Sequence, residues 1–294
     1  MKTIHILSAG LLAIAGIALL APEAKAQLTY KQGDLFLGFE EPGNSNAGDY
    51  LIDIGPASYI LSLAASPGST NITTGAYGGL GLGNFAADLA TEFSGTGWAT
   101  NYSLGDSSAG NAVQWGIIGA TSGSQFGLAA NTLFETQGET TPGTQSTPIT
   151  PNSSSLQSQV TGAIAQLGGQ YAQASGTGSS SLGAFSGHND TNSWSSFTPS
   201  SAAFNQSFSI EQPSSGANTG ATDSTLDFYE VVPNTTKNSH NGSTTDLGTF
   251  TLDSSGDLIF TSAAAVPEPS TYAMVGLGAM SLLGFRRFRR GARS

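Results

Sequence analysis

Two stretches of the chain alternate apolar and polar residues with a period of two. In the first, Leu35, Leu37 and Phe39 fall on one side of Asp34–Phe39, and Tyr50, Ile52 and Ile54 fall on one side of Tyr50–Ile54. The turn-rich run Glu41-Pro42-Gly43-Asn44-Ser45-Asn46 separates them, so the segment predicts a hairpin. In the second, Phe250 and Leu252 alternate before Asp253-Ser254-Ser255-Gly256-Asp257, and Leu258 and Phe260 alternate after it, which predicts another hairpin. Val113–Ala120, Ala203–Gln212 and Thr225–Val232 read as further strands, with Trp115 in the core. The two hairpins are expected to belong to the same sheet system.

A helical period appears twice. Asn84 can cap Phe85–Phe93, whose Phe85, Leu89 and Phe93 recur at every fourth position. Ser155 or a neighbour can cap a second helix with Leu156, Val160, Ile164, Leu167 and Tyr171 along one stripe, weakened by Gly162, Gly168 and Gly169. Residues 137–154 and 174–183 are rich in Gly, Ser and Thr and read as surface loops. The expected fold is mainly β, a sandwich-like antiparallel domain with two inserted short helices.

The remaining apolar runs lie at the ends. Lys2, the run Ile6–Leu20 and the small-x-small site Ala24-Lys25-Ala26 form a secretory signal peptide, with cleavage expected between Ala26 and Gln27. At the other end, Val266-Pro267-Glu268-Pro269 precedes an apolar run, Ser270–Phe285, and then the cluster Arg286, Arg287, Arg289 and Arg290. The apolar run is a little short of the roughly 20 residues that span a bilayer, and snorkelling arginines and Tyr272 cover the difference. It is expected to be a single transmembrane helix with its arginines on the cytoplasmic side. The two prolines disfavour helix in the segment before it.

This three-part tail resembles the PEP-CTERM sorting signal. The resemblance implies recognition by exosortase, a membrane-embedded cysteine transpeptidase, in a Gram-negative bacterium with exopolysaccharide or biofilm loci. It also implies that the tail is removed and that the protein is released or attached at the cell surface. The resemblance covers only the tail and assigns nothing to the body. The organisation expected is therefore a signal peptide (1–26), a secreted β-rich body (27–263) and a sorting tail (264–294).

Composition narrows what the body does. The absence of cysteine excludes disulfides, Cys-ligated metals and a thiol nucleophile. Between Gln27 and Ala265 there are eighteen acidic residues against Lys31 and Lys237, a net charge of −16. Such a surface has no footprint for nucleic acid and is repelled by anionic lipid, while it attracts divalent cations.

Catalytic signatures are missing. There is no His-Glu-x-x-His, Gly-x-Ser-x-Gly, dinucleotide fingerprint or Walker loop. Gly105-Asp106-Ser107-Ser108 begins like the nucleophile block of GDSL-type hydrolases but stands far from the mature N-terminus. His188 and His240 lie in polar loops, poor scaffolds for a triad. Asp227 and Glu230 must point to opposite faces of their strand, so they form no catalytic pair, and Asp223 precedes that strand.

Two binding candidates remain. Asp253 and Asp257 bracket a turn that offers oxygen ligands for calcium, though fewer than a full set. Trp98 and Trp194, in loop-like contexts, are candidate stacking platforms for sugars. No other cofactor is indicated. The expected function is that of a non-enzymatic surface or matrix protein associated with exopolysaccharide. Its partners are the secretion translocon, signal peptidase, exosortase and the inner membrane. The alternatives are a carbohydrate-binding module, a secreted carbohydrate-active hydrolase and a single-pass anchored protein.

Overall fold

Both predicted hairpins form, and both lie in one sheet. The computed structural model describes residues 29–41, 48–73, 87–89, 93, 113–137, 149–173, 183–187, 190–197, 224–235, 241–253 and 256–263. Its strands are β1 (Asp34–Glu40), β2 (Gly48–Pro56), β3 (Ser69–Asn71), β4 (Gln114–Ala120), β5 (Leu133–Gln137), β6 (Gly183–Gly187), β7 (Ser224–Val232), β8 (Ser243–Leu252) and β9 (Leu258–Ser262). Among the described residues, the helices are α1 (Ala57–Ala64), α2 (Ser154–Gln173) and α3 (Trp194–Phe197), besides the helical residues 87–89. Every strand pairing is antiparallel, in the order β3-β9-β8-β7-β5-β4-β1-β2-β6.

The sheet is a half-barrel, and α1 shows how it curls. This helix follows β2 directly, yet it packs against β2, β8 and β9, which stand toward opposite ends of the strand order. A flat sheet would keep β2 about 24–29 Å from β8 and β9, at about 4.8 Å per strand. The curvature gives the sheet an inner face and an outer face, and both are buried.

The predicted alternation supplies the inner face. Leu35, Leu37, Phe39, Tyr50, Ile52, Ile54, Phe250, Leu252, Leu258 and Phe260 all join one cluster with Trp115, Phe134 and Phe228. Helix α1 adds Ala57 and Ile60. Residues 87–89 are helical, within the predicted helix Phe85–Phe93, and Leu89 and Phe93 enter this same core.

The opposite parity supplies the outer face. Phe36, Leu51, Ile118, Leu133, Tyr229 and Val231 pack under Val160, Ile164, Leu167 and Tyr171 of α2. The predicted stripe on α2 is therefore a core face, and the helix runs 20 residues without a break. Gly168 has a steric task, because a Cβ there would collide with the ring of Tyr30. Gly162 and Gly169 face open space.

The expected sandwich is corrected to this single curved sheet. A sandwich needs strands that are apolar on one side and solvated on the other. Here β1, β2, β4 and β7 carry apolar residues at both parities, so helices must cover the second side. Helices α1 and α3 and strands β3, β5 and β6 were also not anticipated. Strand Ala203–Gln212 lies outside the described residues, as do the signal peptide and the apolar run of the tail. Among the described residues, no helix is long and apolar enough to cross a membrane.

Candidate functional site

Among the described residues, a cluster of perturbed groups lies on the outer face, where β1 and β2 meet residues 30–33. Here β2 carries a bulge, so that Leu35 pairs with Gly55 but Phe36 pairs with Asp53. The Gly55 N–H donates to Asp53 Oδ1 at 2.7 Å and holds that carboxyl in the bulge. Asp34, at the start of β1, receives the Lys31 backbone N–H on Oδ2 at 3.0 Å and returns its own N–H to the Lys31 carbonyl. These turns bring the two carboxyls close enough to hydrogen-bond when one of them is protonated.

A hydrogen bond between two carboxyls requires a shared proton, and the surroundings favour keeping it. Burial, followed by the negative charge of Asp34, pushes Asp53 up to about 7. Burial likewise raises Asp34, against the hydrogen bonds and the Lys31 charge that lower it. Two phenols roof the pair. The Tyr171 hydroxyl hydrogen-bonds the backbone of Asp53, and Tyr30 stacks on Phe36 with centroids 5.0 Å apart. Burial and then the nearby carboxylate charges raise both tyrosines well above their usual range. The pair has the proton-sharing chemistry of an acid/base couple, but Tyr30 and Tyr171 occupy the space above it.

Other buried carboxyls share this face. Glu135 is fully buried, burial raises it well above the normal range, and neither of its oxygens has a hydrogen-bond partner. Its neighbours across the ladder are Ile118 and Tyr229. Asp49 is also buried; burial raises it, and it accepts the Ser195 N–H at 2.6 Å, tying α3 to β2.

The predicted site residues fall as follows. Trp194 is fully buried, and a Cβ on Gly38 would collide with its ring, so it offers no face to a sugar. Its loop-like flanks hid this, because the close fit depends on a glycine in a distant strand. Asp253 Oδ1 accepts the Asp257 N–H at 2.9 Å across the loop that carries the two calcium candidates. Among the described residues, no three His, Asp or Glu side chains are grouped to hold a metal ion. Asp227 is buried beside Tyr229, while Glu230 projects to the other face and is half-buried, as parity required. Trp98, Asp223, His188, His240, Gly105–Ser108, Ala24, Ala26 and the entire tail lie outside the described residues.

Sequence reasoning did not find the Asp34–Asp53 pair. The available signal was Phe36 and Leu51, apolar residues at the supposedly polar parity, which place their neighbours Asp34 and Asp53 on a buried face.

The body matches no curated protein and no solved structure. The tail does match: the family model of the PEP-CTERM protein-sorting motif aligns with residues 265–290. The chain carries a PEP-CTERM tail. That motif marks an exported protein processed at the membrane, with exosortase as the processing partner. The PEP-CTERM tail includes Val266, Pro267, Glu268 and Pro269 together with Arg286, Arg287, Arg289 and Arg290, and it starts just two residues after the last described residue, Ala263.

Proposed function

We propose that this protein is a non-enzymatic component of the cell surface or extracellular matrix, associated with exopolysaccharide and delivered by its PEP-CTERM tail. The match at residues 265–290 carries the reading. The apolar run Ser270–Phe285 would hold the exported chain in the inner membrane, with the arginine cluster on the cytoplasmic side. Exosortase, acting as a cysteine transpeptidase, would take the body as an acyl group on its thiol. The tail would leave as the amine, and the body would pass to a nucleophile at the surface. The absence of a catalytic signature and the strongly acidic body support a passive, solvated role over a hydrolytic one.

Intact mass and terminal peptide mapping of the native protein, from medium, envelope and matrix fractions, test this. The expected body starts at Gln27, ends near Val266–Pro269 and lies outside the inner membrane. Recovery solely in the membrane with the arginines still attached would reject the sorting reading.

A further inference from the structure

The folded body reaches almost to the sorting motif. Strand β9 is held on both sides to its last residue. On one side, the Ser262 N–H donates to the Gly68 carbonyl at 3.0 Å, and the Gly68 N–H donates to Ser262 Oγ at 2.9 Å. On the other, the Ala263 N–H donates to the Leu247 carbonyl at 3.0 Å. The partner strand is shaped for this contact. Gly248 opposes Ser262 with φ +136°, a conformation that favours glycine, and a Cβ there would collide with the Thr261 carbonyl. The Asp246 carboxylate accepts the Gly248 N–H at 2.8 Å and steadies the bend.

Chain geometry then sets a short leash. At no more than about 3.6 Å per residue, Pro267 stands within about 14 Å of Ala263, and Ser270 within about 25 Å. A membrane-embedded enzyme must bind the motif while a pinned strand of the body lies immediately beside it. The rim there, residues 66–69, 244–248 and 260–263, carries a single acidic side chain, Asp246, in an otherwise polyanionic body.

We infer that the pinned end of β9 limits access to the sorting motif, so that Ser262 and Ala263 must unpair from Gly68 and Leu247 before the processing enzyme can seat Pro267–Pro269. This rests on the sorting reading above. It adds that the body itself sets the rate at which its tail is lost.

The test is a pulse-chase of tail loss from the full-length protein in its native host. One variant carries a 12-residue Gly/Ser linker between Ala263 and Ala264. A control carries the same linker in the β4–β5 turn after Ser122. The expected result is tail loss about 5-fold faster with the first linker, as when two or three backbone hydrogen bonds no longer have to open, and the parent rate with the control. Ser262→Ala, which removes one clasp, should speed loss by about 2-fold while near-UV circular dichroism stays native. An unchanged rate in the first linker variant, with Pro267→Ala/Glu268→Ala still blocking tail loss, overturns the access inference and leaves sorting intact. If the motif variant loses its tail like the parent, the sorting reading fails and the inference falls with it.

Discussion

The two faces of the half-barrel are buried alike but satisfied differently. On the inner face, rings run across four strands, from Phe134 to Phe228, Phe250 and Phe260, with successive centroids 6.5, 4.9 and 5.0 Å apart. Its polar groups are matched: Tyr50 donates to Asp88 Oδ2 at 2.7 Å, and Thr136 Oγ1 accepts the Ile117 N–H at 2.8 Å. On the outer face, Glu135 and the side-chain carbonyl of Gln157 are buried without partners, and burial raises both Asp34 and Asp53. The inner face is built mainly of rings and aliphatic chains, with Glu230 at its margin, while the outer face holds most of the buried carboxyls whose proton affinity burial raises.

The largest effect should come from breaking the inner face. Phe228→Ala removes the ring between Phe134 and Phe250 and should cost about 3–5 kcal/mol in urea unfolding of the body. A loss near 1 kcal/mol would mean that the aromatic row is not the main support.

A smaller effect should separate the faces by pH. Asp34 and Asp53 hold protons more tightly in the folded state than in the unfolded state. Their contribution is fully present below about pH 4 and is lost as pH rises through about 7. Stability should fall by roughly 2–4 kcal/mol across that window. Asp53→Asn keeps a hydrogen-bonding group without the titration and should reduce the slope, leaving the share of Asp49, Glu135, Glu230 and Asp246, whereas Phe228→Ala should lower the whole curve and keep its shape. A parent curve that rises from pH 4 to 7 would contradict the shared proton.

The smallest change should run in the opposite direction. Replacing Glu135 with Leu removes a buried group whose oxygens have no partners and should raise stability at pH 7 by about 1–3 kcal/mol. Destabilisation of that size would show that Glu135 is satisfied in solution, by ordered water for example.

The same contrast explains what could be read from the sequence. Inner-face residues such as Leu35, Leu37, Phe39, Phe250 and Phe260 announce themselves, because period-two alternation is a property of consecutive residues. The stripe on α2 is legible for the same reason, with a period of 3.6. The outer face is hidden in these strands. Asp34, Phe36 and Asp53 occupy the parity that normally faces water, and only the later arrival of α2 buries them. Helix α1 escapes notice because it begins at once from β2, with Pro56 as N-cap and no side-chain cap. Strand β6 is Gly-Ala-Phe-Ser-Gly, with little intrinsic strand preference, and it forms because β2 offers it a ladder. The sorting motif needed no folding to be recognised: its message is a linear order of prolines, an apolar run and arginines.

The clasp between Gly68 and Ser262 joins positions 194 residues apart. An exported chain emerges from the translocon N-terminus first, so β1, β2 and α1 must wait, apolar face bare, for the last strands to arrive. Folding dominated by such distant pairings is slow and exposed to aggregation. Strand β9 is both the piece that completes the inner core and the piece next to the sorting tail. The inner core therefore cannot close until the strand beside the sorting tail has been delivered.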